Sequence, residues 1–288
     1  MSIPAIAQRN IPRARHSAAA TLFFLGLALA SPGVALAETL PAPAALRSQL
    51  QAQGHKAQVV TVVEPHLSRK DQPVQRRYLA YPVEAVLGAL LGPAWQAQPD
   101  RELEFKALDG FIARMPVSRF LKHRAYLAVG LADGRPFTVD NLAQNEKNVA
   151  LGPFYLIWDN LAAPALQAEG GTHWPYQVSE ISLRALNPEA LLPAGMDSSR
   201  WAEQAALAQK YCLSCHQING FGGAKMPLNL AVRAKLIDAR TWQSWLLQPQ
   251  SVKPGTAMPP LPDGLSSAER QRIARGLHDY LKALPVAP

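Results

Sequence analysis

Cysteine is nearly absent: the 288-residue chain has two, Cys212 and Cys215. A disulfide-stapled scaffold needs more, and a bridge across so short a loop would close little chain and stabilise little. A zinc site built on this pair would need further ligands, and no other cysteine exists. Charge is sparse as well. Asp, Glu, Lys and Arg make up 17% against 48% hydrophobic residues, which excludes a disordered polyelectrolyte. No stretch interleaves Lys and Arg with aromatics, so nothing marks a nucleic-acid partner. Internal repeats and low-complexity tracts are missing. After the first segment no apolar run is long enough to cross a membrane.

The first segment has the three parts of an export signal. Arg9, Arg13 and Arg15 form a positive start. Residues 18–30 (AAATLFFLGLALA) are apolar but short for a bilayer span. Ser31-Pro32-Gly33 breaks the run, and Ala35-Leu36-Ala37 fits the small-residue cleavage rule. Cleavage after Ala37 is expected, giving a periplasmic protein that begins at Glu38 and keeps no transmembrane helix. An uncleaved membrane anchor is the alternative. No adjacent arginines of the twin-arginine kind occur, which favours export of the unfolded chain. The formal charge is +8; the three arginines of the signal account for three of these, leaving +5. Such a surface favours acidic partner proteins or an anionic membrane surface.

Three sections are expected: the signal over 1–37, an α+β domain over 38–195, and a mostly helical domain over 196–288. Turn formers cluster at Asn187-Pro188 and Pro193-Ala194-Gly195. In the middle section, Ala57 to Val63 is β-branched and reads as a strand. Pro82 to Leu91 reads as a short helix. Leu103 to Leu108 alternates like a half-buried strand, and Asp109-Gly110 turns the chain into a second strand over Phe111 to Met115. Tyr126 to Leu131 and Phe154 to Trp158 read as further strands. In the last section Asp197-Ser198 caps a helix that reaches Tyr211, and a glycine-rich loop follows at Gly220-Phe221-Gly222-Gly223. Asp238 caps a helix carrying Trp242 and Trp245. Ser266, with Glu269 three residues on, opens a final helix whose apolar face is Ile273, Leu277, Tyr280 and Leu281.

Cys212-Leu213-Ser214-Cys215-His216 carries the chemistry. Two thiols three residues apart on a helical turn face one side and can form two thioether links to one haem. His216, four residues from Cys212, can face the iron from the same side. This is the spacing of c-type haem attachment. A thioredoxin-like redox pair would want a βαβ context, which the surroundings of Tyr211 do not supply. His278 is expected at the surface. His55, His66, His123 and His173 have no metal-like spacing and read as surface or hydrogen-bonded residues. Trp242, Trp245 and Tyr211 read as packing.

With these residues in view, Asp197 to Leu284 resembles the class I cytochrome c family. The likeness lies in the helix before the motif, the CxxCH, the glycine loop, the PGTAMPP stretch from Pro254 to Pro260 and the final helix. It implies an all-α domain with one haem c linked to Cys212 and Cys215. His216 would be one axial ligand and Met258 the other, in a loop stiffened by Pro259 and Pro260. It also implies that the carbonyl of Pro227 accepts a hydrogen bond from His216, with Leu228 and Leu230 packed on the haem. Met226 is the rival ligand, and an open iron site is the third alternative.

The middle section resembles, more faintly, the oxidoreductase molybdopterin-binding (sulfite-oxidase-like) family. The matching stretches are Tyr81-Pro82-Val83 with its helix, LDGFIARMPVSRFL over 108–121, AYLAVGLADGRPF over 125–137, and Gly152-Pro153 before FYLIW. That family holds molybdenum through a cysteine thiolate, and both cysteines here are committed elsewhere. No active-site residue carries over, and the domain is expected to serve in docking or structure. A six-coordinate His216/Met258 haem favours single-electron transfer with a redox partner protein, such as an oxidoreductase, over catalysis. A haem-containing oxidoreductase subunit or ligand sensor is the alternative, with chemistry at an open haem or in the middle domain. In a third reading the haem is merely structural.

Overall fold

The computed structural model describes residues 37–186 and 188–286; apart from Ala37, the expected export signal lies outside the described residues. In chain order the elements are β1 (Ala37–Thr39), α1 (Pro43–Ala52), β2 (Gln58–Val63), β3 (Gln75–Pro82), α2 (Val83–Leu91), β4 (Arg101–Ala107) and β5 (Ile112–Pro116). Next come α3 (Val117–Lys122), β6 (Ala125–Leu131), β7 (Thr138–Asn141), β8 (Glu146–Ala150), β9 (Tyr155–Trp158) and β10 (Val178–Ala185). The remainder is α4 (Pro188–Leu191), α5 (Ser198–Tyr211), β11 (Gln217–Ile218), β12 (Phe221–Gly222), α6 (Leu230–Leu236), α7 (Ala239–Leu247), α8 (Pro249–Val252) and α9 (Ser267–Ala283).

Two four-stranded antiparallel sheets organise residues 37–186, in the orders β1-β10-β4-β5 and β2-β3-β6-β9. The β-branched run of β2 suits a pleated surface, and all four residues of β9 are buried. One hydrophobic cluster runs from Leu40 to Ile181, with Trp95, Trp158, Tyr78, Tyr81, Phe105 and Phe154 fully enclosed. Each such side chain contributes about 1.5–3 kcal/mol by leaving water. Residues 191–284 form a second cluster, in which α9 packs on α5, α6 and α7. The helix starts follow their capping chemistry. Asp197 accepts from the amides of Ser199 and Arg200, Asp238 from those of Arg240 and Thr241, and Ser266 from that of Glu269.

The expected α+β domain followed by an all-α domain is corrected by this arrangement. Among the described residues, 36% are helical and 26% are strand, with four antiparallel sheets, so the structure is mixed α/β and the last part is not all-α. Its helices are interrupted by the β11–β12 hairpin, in which Ile218 pairs with Phe221. The cause is local. Asn219 (φ 48°) and Gly220 (φ 85°) both take positive φ, the geometry of a two-residue hairpin turn. His278 is also placed differently from expectation. It is 4% exposed, its Nε2 lies 3.2 Å from the carbonyls of Ala234 and Ile237, and its ring stacks on Trp242. The buried face of α9 takes in Ala274 and His278 beside the four expected positions, so the apolar stripe is wider than its large residues alone suggest.

Candidate functional site

Helix α5 delivers the cysteines. It ends at Tyr211, and Cys212 keeps right-handed helical dihedrals at its C-cap. One further turn winds on: the amides of Cys215 and His216 both donate to the Cys212 carbonyl, at 3.2 and 2.9 Å. Leu213, 1% exposed, anchors this turn in the second cluster. Cys212 is buried and Cys215 half-buried, and both are free thiols. Burial pushes the Cys212 thiol up to about 12, with the neighbouring Cys215 adding to the effect. Burial likewise lifts Cys215 to about 11. A redox-active CxxC pair depends on a depressed thiol pKa, the opposite of what this site imposes.

His216 is held by the segment that returns from the hairpin. Its Nδ1 lies 2.9 Å from the Met226 carbonyl, while the Met226 amide donates to Cys215 O at 2.8 Å. A carbonyl can only accept, so Nδ1 is the N–H and Nε2 of the neutral ring carries the lone pair. Burial lowers the His216 pKa, partly offset by this hydrogen bond, which favours the neutral ligating form. Pro227 was expected to supply the acceptor; the acceptor is the residue before it. A proline biases its predecessor towards extended backbone, so Pro227 acts here on Met226, whose carbonyl meets the imidazole. Leu230 is buried, whereas Met226 (59%), Leu228 (45%) and Pro227 itself are exposed.

Close backbone approach fixes this segment. A Cβ at Gly222 would lie 2.2 Å from the His216 carbonyl oxygen, and one at Gly223 would lie 2.0 Å from that of Ser214. Met258 is half-buried and packs against the same core as Cys212. Its loop is pinned by Gln250, whose Oε1 accepts from the Gly255 amide at 2.8 Å and whose Nε2 donates to the Thr256 carbonyl. The Met258 amide donates to Thr256 Oγ1 at 3.2 Å. The donor set is thus two thiols on one turn, an imidazole with Nε2 free of its backbone bond, and a thioether on a braced loop. Chemically, this donor set could hold a covalently attached haem c, for which Cys212 and Cys215 would be the attachment points and His216 and Met258 the candidate axial ligands.

A polar centre that sequence reading passed over lies in the first cluster. Glu64 is fully buried. It accepts from Tyr78 Oη at 2.5 Å, from Tyr155 Oη at 2.9 Å and from the His66 amide at 3.0 Å. These donors satisfy a carboxylate that burial would otherwise penalise. Nothing local in Val63-Glu64-Pro65 announces it, because its phenol partners come from β3 and β9. Protein-family models, curated proteins and solved structures were compared with the chain, and none matches it.

Proposed function

We propose that this chain is an exported, periplasmic mono-haem c-type protein that exchanges single electrons with a redox partner protein. The observation that carries the reading is the Cys212–His216 turn. It presents two protonated thiols, Cys212 buried and Cys215 half-buried, beside an imidazole whose Nδ1 is tied to a backbone carbonyl. A haem c held there would supply a one-electron iron couple. The chain's own residues do the rest. Cys212 and Cys215 anchor the group, and the Met226 carbonyl orients His216 and raises its basicity. Gln250 braces the loop that presents Met258. If His216 and Met258 both ligated the iron of a bound haem, substrate would have no access to the metal, which favours electron transfer over catalysis.

The resemblance of 197–284 to class I cytochromes c belongs to this proposal, as does a docking or structural role for the section resembling the sulfite-oxidase-like family. The test is expression with the haem-attachment machinery. The product should carry one haem that survives denaturation and undergoes reversible reduction, and Cys212→Ala with Cys215→Ala should carry none. Met258→Ala should lose the sulfur-to-iron charge-transfer band. Ready carbon monoxide binding by the reduced wild-type protein would instead indicate an open iron, and a haem that cannot be reversibly reduced would indicate a structural role.

A further inference from the structure

The turn between β4 and β5 belongs to a sheet of the first cluster, yet it is bonded to the haem-attachment segment at three points. The Ile112 amide donates to Ser214 O at 2.9 Å, and the Ala224 amide donates to Gly110 O at 2.8 Å. Lys225 Nζ pairs with Asp109 Oδ2 at 2.9 Å, with both side chains less than one-third exposed at 19% and 30%. The Asp109 carboxylate is itself held, since its Oδ1 accepts from the Phe111 amide at 3.0 Å. The approach is close enough to need a glycine. Gly110 has φ +85°, and a Cβ there would lie 3.0 Å from Ala224 C and 3.1 Å from Lys225 N. Ala224 and Lys225 lead directly into Met226, whose carbonyl holds His216 Nδ1 at 2.9 Å.

We infer that Asp109 and Lys225 are positioning residues for the axial histidine. Through them the β4–β5 turn fixes the Met226 carbonyl and so sets the reduction potential of the haem. The inference rests on the haem reading above. A firm Nδ1–H···O bond gives the imidazole more anionic character and stabilises ferric iron, so loosening it raises the potential. A simple charge effect can be told apart by sign. Removing the Asp109 carboxylate would raise the potential by charge alone, but removing the Lys225 ammonium would lower it by charge alone.

The experiment is redox titration of the haem-loaded full chain as wild type, Asp109→Asn and Lys225→Met. Positioning predicts that both substitutions raise the reduced-to-oxidised ratio at a fixed ambient potential, by about threefold or more. The His216 Nδ1 proton of the ferrous protein should also exchange faster with solvent in both, as read by NMR. Shifts of opposite sign, or none, overturn the assignment. The reversed pair, Asp109→Lys with Lys225→Asp, keeps the net charge and should return the potential towards wild type; a persistent shift there also counts against it. Wild-type protein without covalent haem would overturn both this inference and the haem reading. Attached haem with unshifted potentials would overturn the positioning role alone.

Discussion

Gly222 and Gly223 show how much of the site depends on single residues. Both sit where the return segment presses on the backbone of the Cys212–His216 turn, and no side chain fits between them. Gly223→Ala places a methyl group 2.0 Å from the Ser214 carbonyl oxygen, far inside van der Waals contact, so the segment must move. It should destabilise the fold by about 1–3 kcal/mol, seen as a lower urea midpoint, and reduce the yield of attached haem. The meeting of the two cysteines and His216 was legible from sequence because all three lie within about one turn, where spacing along the chain fixes which side chains share a face. The acceptor for His216 was legible only to within one residue. Which carbonyl of Ala224-Lys225-Met226-Pro227 faces the imidazole depends on the twist of the returning backbone, and that is set by the hairpin.

Among the elements, that hairpin is the instructive case. Asn219-Gly220 is a strong local hairpin signal, but the flanking strands are two residues each and lack alternating apolar residues. It therefore reads as a glycine loop in a helical neighbourhood. The longer elements announce themselves better. The expected strands at 57–63, 103–108 and 126–131 match β2, β4 and β6 to within two residues, and the three capped helices begin at their capping side chains. Strand β10 was not anticipated, although it pairs with both β1 and β4 and its Ile181, Leu183 and Ala185 alternate with Glu180, Ser182 and Arg184. The loop over 253–260 carries a prediction of its own. If Met258 ligates a bound haem, Gln250→Ala removes two hydrogen bonds worth about 1 kcal/mol each, so Met258 should be displaced up to about thirtyfold more readily by added imidazole. An imidazole titration followed at the haem absorption bands measures this, and an unchanged titration would show that the prolines suffice.

Across the described residues, charged and polar contacts join both neighbouring turns and residues distant in sequence. Glu169 takes Arg119 at 2.7 Å, His173 at 3.0 Å and Lys210 at 3.7 Å. Glu102 accepts from Gln209 at 3.0 Å, and the Arg114 guanidinium lies over the Phe221 ring at 4.3 Å. Burial opposes the Glu169 charge, but the bonds from His173 and Arg119 outweigh it and hold the carboxyl well below its ordinary value. Burial also lowers the pKa of His66 and of His173. The consequences for acid stability have the same sign. A histidine kept neutral by the fold contributes stability above its unfolded pKa of about 6.5, which is lost as pH falls. Glu169 contributes above its ordinary value of 4.5 and loses that contribution below it. The urea midpoint should therefore decline from pH 7 to 5 and fall again below about 4.5. His66→Gln should flatten the first decline, and a wild-type midpoint constant from pH 7 to 5 would contradict the assignment.

The sequence by itself determined what lies within one turn or one strand: the paired cysteines with their histidine, the helix caps, and the β-branched and alternating strands. These follow from contacts a few residues long, where spacing fixes geometry. Tertiary structure alone decided the burial of Glu64 under two tyrosines, the inward placement of His278, and the bonding of Asp109 and Gly110 to Ala224 and Lys225. Each joins residues separated by tens of positions or more. Their meeting depends on sheet order and on how the clusters pack, which no local spacing encodes.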